Sequence, residues 1–168
     1  DWGFETEPQA QLYDRRVYLP RGKTLGGCSS TNAMAYIRGN HEDYNDWAKL
    51  GNPSWAFDQV LPYFKRSEHN EQLAQLDPNF HGQGGLLNIT YNQKYRSAAA
   101  EAFVASCKVL GIPENHDVNG AEQAGAGYFQ FSIKDQKRHS TATAFLKPAL
   151  SRPNLQVITQ AQTQRLLI

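Results

Sequence analysis

The chain has 168 residues, of which 40% are hydrophobic and 20% charged, with a formal net charge of +1. That length and composition belong to a globular domain with its own core rather than to a disordered segment. A nearly balanced charge gives no bulk electrostatic case for nucleic acid or an anionic membrane surface, and no apolar run reaches membrane-spanning length.

Residues 1–19, with Pro8 and scattered aromatics, read as irregular or extended. A Gly/Ser-rich loop follows. Residues 41–50 read as a helix with Tyr44, Trp47, Ala48 and Leu50 on one face, and Gly51 suits the position just past its end. A second helix is expected from an N-cap at Asp58, with Phe57, Val60, Leu61 and Phe64 at helical spacing and Pro62 in the first turn. Residues 66–85 are polar, carry Pro78, Gly82, Gly84 and Gly85, and read as a surface loop.

Leu86–Thr90 is a short predicted strand. Ser97 then caps a helix with Ala100, Phe103, Val104 and Cys107 on one face, ended by Gly111-Ile112-Pro113. Residues 114–127 read as loop, and Tyr128–Lys134 as a strand. Its alternation places Phe129, Phe131 and Ile133 on one side and Gln130, Ser132 and Lys134 on the other. A helix is expected from Ser140 towards Leu150, and two closing strands at Leu155–Thr159 and Thr163–Ile168. A start at Asp1 and an end inside an apolar strand raise the expectation that the chain belongs to something longer.

Chemistry concentrates between Pro20 and Gly39, where Gly26-Gly27 precede Cys28-Ser29-Ser30-Thr31-Asn32. Glycines let backbone N–H groups approach an anion closely, Ser29 and Ser30 could add hydroxyl donors, and Asn32 offers a donor and an acceptor. On spacing alone the segment reads equally as a plain helix-capping loop. Gly22-Lys23-Thr24 is not a P-loop, because Val17 stands where that motif needs glycine. No G-x-G-x-x-G is present: Leu87 and Gln130 replace the third glycine after Gly82-x-Gly84 and Gly125-x-Gly127. The histidines at 41, 69, 81, 116 and 139 have no metal-ligand spacing and read as surface or structural residues. Cys28 and Cys107 are too few for a disulfide framework and read as reduced thiols. Asn88-Ile89-Thr90 has the pattern of a glycosylation acceptor, which carries little without a secreted context.

The ordered set Arg21-Gly22-Lys23, Gly26-Gly27-Cys28-Ser29-Ser30, Asn32, Arg38-Gly39, Asp43-Tyr44, Trp47, Val60-Leu61-Pro62-Tyr63-Phe64, His81-Gly82, Asn119-Gly120, Arg138-x-Ser140-x-Ala142 and Arg152-Pro153-Asn154-Leu155 resembles the glucose–methanol–choline (GMC) flavin oxidoreductases, and the likeness runs through essentially the whole chain. The resemblance implies an FAD site in which Gly26, Gly27, Cys28 and Ser29 run along the cofactor. Asn32 would stand against the flavin, Ala33, Met34 and Ala35 would give backbone contacts near the ring, and Thr163 would give one at the adenine end. Thr31 occupies the position of the histidine that binds flavin covalently in some members, so the FAD is expected to be non-covalent.

No residue here matches the family's N-terminal dinucleotide fingerprint or its general-base histidine, so no catalytic residue is assigned and the chain alone is expected to be inactive. The implied fold is α+β, part of a two-domain enzyme. Residues 1–83 and 153–168 would belong to the FAD domain and 84–152 to the substrate domain, where Leu86–Thr90 and Tyr128–Lys134 would join an antiparallel sheet. The implied substrate is choline or another primary alcohol, with no nucleic-acid partner. Exposed apolar surface, covered by homo-dimerisation, is a further expectation. The compartment is left open between cytoplasmic and membrane-associated. The alternative is a non-catalytic binding module that keeps the middle of this fold.

Overall fold

The computed structural model describes residues 1–92 and 96–167. Short strands Phe4–Glu5 (β1) and Tyr18–Leu19 (β2) pair antiparallel, in keeping with an extended N-terminal stretch. Ala35–Tyr36 (β3) follows the Gly/Ser loop. Helix His41–Lys49 (α1) begins at Asn40, whose Oδ1 accepts from Glu42 N–H at 3.0 Å while Asp43 Oδ2 accepts from Asn40 N–H at 2.7 Å. This reciprocal box satisfies amides that a helix start leaves orphaned. Gly51 takes a φ of 100° just past the end, as its position predicts.

The second helix is Phe57–Ser67 (α2), two residues longer at its start than an Asp58 cap would allow. Asn45 of α1 supplies the cap from outside, its Oδ1 accepting from Phe57 N–H at 3.1 Å. Pro62 therefore sits in the second turn rather than the first. An aromatic cluster of Tyr44, Trp47, Trp55, Phe57 and Phe64 locks α1 to α2, and His41 stacks on Phe57 with centroids 3.6 Å apart.

Residues 66–85 are not a surface loop. They contain strand Glu68–Asn70 (β4), which pairs parallel with Leu87–Ile89 (β5). Glu68, Asn70, Gln72 and His81 are all buried. A Cβ at Gly82 would lie 1.9 Å from the Lys65 carbonyl oxygen, so this close approach of two backbones requires glycine. Among the described residues, buried polar side chains outnumber buried apolar ones, the latter being Phe57, Ile89, Val104, Cys107, Ala126 and Ala144. The polar run is interior because its side chains satisfy one another.

Helix Ala98–Val109 (α3) starts after Ser97, though the serine side chain makes no capping bond. Its end is a Schellman turn: Ile112 N–H reaches Cys107 O at 2.9 Å and Gly111 N–H reaches Lys108 O at 3.0 Å. Val104 and Cys107 face inward, but Phe103, expected on that face, is exposed. The predicted strand Tyr128–Lys134 divides into Gln130–Phe131 (β6) and Ile133–Lys134 (β7), the latter forming a hairpin with Lys137–Arg138 (β8). Asp135 and Gln136 both take positive φ, the two-residue turn that suits strand twist, without the glycine that would announce it. At its start the buried side is the polar one, since Gln130 is buried and Phe129 exposed. β6 pairs antiparallel with β3, and Thr90 and Phe131 exchange both backbone hydrogen bonds, joining the β5 region to β6 in the expected antiparallel sense.

The helix expected after Ser140 forms as a π turn, Ala142–Leu146, continued by Lys147–Ala149 (α4). The two closing strands do not form among the described residues. Residues 155–167 have no ladder partners, and a strand without a partner has nowhere to place its N–H and C=O groups except solvent. Ile168, the end of the second, lies outside the described residues. Large apolar side chains stand exposed here and at the end of α3, including Val109, Leu110, Leu166 and Leu167, as expected of exposed apolar surface. No helix among the described residues is long and apolar enough to cross a membrane. The α+β class holds.

Candidate functional site

The Gly/Ser loop forms a single 3₁₀ turn, Gly27–Ser30, entered through Gly26 at φ 87°. A Cβ at Gly26 would meet Ser30 Oγ at 2.4 Å and Ala142 Cβ at 3.1 Å, so this glycine lets the loop lie against the π turn. Gly27 differs. At φ 54° it has nothing within 4 Å of the position a Cβ would take, leaving its backbone open on that side. The two serine hydroxyls are not free donors for an anion, as the sequence suggested. Ser29 Oγ donates to Gly26 O at 2.6 Å and Ser30 Oγ to Leu25 O at 2.8 Å. They brace the turn, which leaves close approach to the backbone.

Two open grooves flank the turn. One of about 670 Å³ is lined by Trp2, Lys23, Thr24, Leu25 and residues 158–162. The other, about 490 Å³, is lined by Gly26, Thr141, Ala142, Phe145, Leu146, Ala149, Arg152, Asn154 and Leu155. Volumes of this order suit small-molecule ligands. Lys23 lies 4.6 Å above the Trp2 ring and puts a cation beside the first groove. Cys28 is an exposed free thiol whose Sγ accepts from Gly22 N–H at 3.4 Å. Cys107 is also free, and buried.

Past the turn, Asn32 Oδ1 accepts from Met34 N–H at 3.0 Å, and Met34 takes φ 65°. Its carbonyl accepts from Ser132 N–H at 2.9 Å, and Ala35 begins β3. Gly26, Gly27, Cys28, Ser29, Asn32, Ala33, Met34 and Ala35 thus form one continuous ribbon. Thr163 is exposed and lines neither groove, though Gln162 before it lines the larger one.

Two residues to which the motif reading gave no role, Thr141 and Arg138, hold this ribbon. Thr141 N–H donates to Ser29 Oγ at 2.9 Å, and Thr141 Oγ1 to Gly26 O at 3.2 Å. The Arg138 guanidinium reaches Ser29 O, Asn32 Oδ1 and Asn32 O at 3.0, 2.9 and 2.7 Å.

A second polar cluster lies in the interior. Glu68 pairs with Arg38 through Oε2, while its Oε1 accepts from Asn70 Nδ2 at 2.7 Å and lies 2.9 Å from His81 Nδ1. His81 Nε2 lies 2.9 Å from Asp117 Oδ2. Arg38 also donates to Phe80 O at 2.6 Å, and Asn119 Oδ1 accepts from Arg38 N–H at 2.8 Å. Burial opposes charge on His81, but the hydrogen bonds it donates to the Asp117 and Glu68 carboxylates outweigh it and push the imidazole up to about 9. Burial likewise opposes charge on Asp117, and His81 more than offsets it, holding the carboxyl below its ordinary value. His81 is therefore charged at neutral pH with both nitrogens engaged, which suits it to structure and not to proton abstraction. His139 is buried, the structural rather than the surface histidine of the two expected kinds, and its Nδ1 accepts from Asn88 N–H at 3.0 Å. Burial first, then Lys134, lowers its pKa. Asn88 is buried too, its Nδ2 donating to Glu71 and Ile133 O at 2.7 Å each, so it is no glycan acceptor in this fold.

Comparison with known proteins agrees with this arrangement. Residues 9–168 match the family model for GMC oxidoreductases. An alcohol dehydrogenase [acceptor] of Pseudomonas putida is 41% identical over 99% of this chain and 30% of its own length. An oxygen-dependent choline dehydrogenase of Rhizobium rhizogenes is 42% identical over 94% of this chain and 28% of its own. Among solved structures, pyridoxine 4-oxidase from Mesorbium loti superposes with a TM-score of 0.81 at 32% identity, over 92% of this chain and 30% of that one. An FAD-dependent oxidoreductase from Chaetomium thermophilum superposes at 0.79 with 30% identity, over 91% of this chain and 28% of that one. The chain spans about 30% of the length of the curated relatives it matches. Because the family match runs from residue 9 through the braced Gly/Ser turn, the grooves beside it and the buried ion cluster, the chain belongs to the GMC oxidoreductase family.

Proposed function

We propose that this chain forms one wall of the FAD site of an oxidoreductase acting on the CH–OH group of a primary alcohol, choline among the candidates. The observation that carries the reading is the turn at Gly26–Ser30, braced internally, open at Gly27 and flanked by two grooves. An extended cofactor with an anionic centre fits such a wall better than a compact ligand does.

In this reading Gly26, Gly27, Cys28 and Ser29 bring backbone to the pyrophosphate and ribityl portion, with Lys23 adding positive potential near one groove. Asn32 and the backbone of Ala33, Met34 and Ala35 orient the ring, and Thr163 contacts the adenine end through its main chain. When bound, FAD would supply the hydride-accepting chemistry. Thr31 cannot form the covalent histidyl link, so the cofactor is held non-covalently. Residues 1–83 and 153–168 would serve the FAD domain and 84–152 the substrate domain. None of the chain's histidines is assigned the alcohol proton: His81 is charged and doubly bonded, and His139 spends Nδ1 on Asn88.

The test is an FAD titration read by flavin fluorescence, on the chain and on Gly27→Val. A branched side chain at φ 54° strains the turn and fills its open side. The chain is expected to bind FAD weakly and without alcohol-dependent dye reduction, and Gly27→Val to bind about tenfold more weakly, some 1.4 kcal/mol. Equal binding by the variant would remove this loop from the site. Stoichiometric FAD with turnover would overturn the absence of a base.

A further inference from the structure

We propose that Arg138 is the positioning residue of the cofactor loop, acting through Asn32; the inference rests on the cofactor reading above. One guanidinium makes three hydrogen bonds to the loop, to Ser29 O, Asn32 Oδ1 and Asn32 O. Such a planar fork meets three fixed acceptors in a way an ammonium cannot.

The consequence for Asn32 follows from counting donors. Its Oδ1 accepts from both Arg138 Nη1 and Met34 N–H, so only the oxygen of the amide can stand there. The amide orientation is thereby fixed, and Asn32 Nδ2 makes no hydrogen bond among the described residues. Asn32 is exposed, so its NH₂ is kept for a ligand acceptor. The same pair holds Met34 at φ 65°, a backbone conformation that residues with side chains seldom adopt. Met34 is tied at both ends, its N–H to Asn32 and its carbonyl to Ser132.

Arg138 is itself set by the β7–β8 hairpin and by the buried His139 that follows it. It forms no ion pair among the described residues. Its charge therefore stands uncompensated by protein, behind a loop assigned to an anionic cofactor. The bound element and the loop it orients lie 106 residues apart in sequence, which makes Arg138 the link between the two regions.

Amide hydrogen exchange tests the hold without any cofactor. In Arg138→Met, Met34 N–H should exchange about tenfold faster, a loss of roughly 1.4 kcal/mol of protection, while Asn70 N–H in β4 keeps its rate. Arg138→Lys, which keeps the charge but not the fork, should lie nearer Arg138→Met than the parent. Amide shifts during FAD titration supply the second arm. If the competent loop population falls tenfold, apparent affinity falls by about tenfold as well. Unchanged Met34 exchange in Arg138→Met overturns the proposal, as does full FAD affinity in Arg138→Lys, which would leave charge alone as the cause. Should the parent show no FAD shifts, the cofactor reading fails while Met34 exchange still decides the role of Arg138. If Asn70 protection collapses in Arg138→Met, the Arg138→Lys pair of measurements decides.

Discussion

Glu68→Gln probes the buried ion cluster with almost no change in volume. In the native chain Arg38 and His81 contribute two positive charges and Glu68 and Asp117 two negative ones, so the cluster is neutral. Glu68 is fully buried and serves Arg38, Asn70 and His81 at once. A glutamine amide offers one oxygen and turns its NH₂ towards donors. The result is an uncompensated buried positive charge and a donor facing a donor. Breaking a buried pair in this way costs about 3–5 kcal/mol. For a chain of this size each kcal/mol moves Tm by roughly 2–4 °C, so thermal melts by circular dichroism at pH 7 should show a loss of about 6–20 °C. Adding Arg38→Met should recover part of the loss, because residues sharing a network are non-additive. A fall of less than about 2 °C, or strict additivity in the double variant, would refute the view that the cluster holds β4 in the interior.

Three further outcomes follow from the same geometry. Because His81 is raised to about 9 in the fold, its stabilisation is complete below an unfolded value near 6.5 and is lost as pH rises through 9; Asp117, held low, loses its contribution only as pH falls below the ordinary carboxylate range. His139, held below its ordinary value and accepting a hydrogen bond on Nδ1, withdraws stability as pH falls below about 6.5. Melts should therefore peak near pH 6.5 and decline on both sides, and a Tm that climbs from pH 7 to 9 would contradict the assignment. Gly82→Ala forces a Cβ to within 1.9 Å of a backbone oxygen and should cost at least about 1–3 kcal/mol in denaturant titration, whereas a neutral result would mean the α2–β4 junction yields easily. Thr163→Ala should leave FAD affinity within about twofold, since only main chain is assigned there; a tenfold loss, about 1.4 kcal/mol, would give the side chain a role.

Helices α1, α2 and α3 were legible because their apolar spacing is local, and Gly51 and Gly111 mark the ends of α1 and α3; only α1 carries a local side-chain cap, which is why the start of α2 was misplaced. The ribbon from Gly26 to Ala35 was legible as a motif. What hid was non-local. Glu68, Asn70 and Gln72 recur at every second residue, the period of a strand face, but polar residues at that period read as solvent-facing until their partners 11 to 60 residues away are known. The β7–β8 hairpin hid because Asp135-Gln136 carries none of the glycine that usually signals a two-residue turn. Arg138 lay inside a quoted motif, yet its three acceptors lie more than a hundred residues upstream. The closing strands failed for the reverse reason: residues 155–167 carry strand-like composition, but a ladder needs a neighbour, and the described residues supply none.

The most direct test of the cofactor wall is an amide chemical-shift map of the 168-residue chain recorded with FAD at about 1 mM, where a Kd of that order corresponds to roughly −4 kcal/mol. The account predicts shifts concentrated at Gly26–Ala35 and at the residues lining the two flanking grooves, with the Asn32 side-chain NH₂ among the largest and the Glu68–Asn70 strand unmoved. Shifts confined to other surfaces, or none at this concentration, would contradict it.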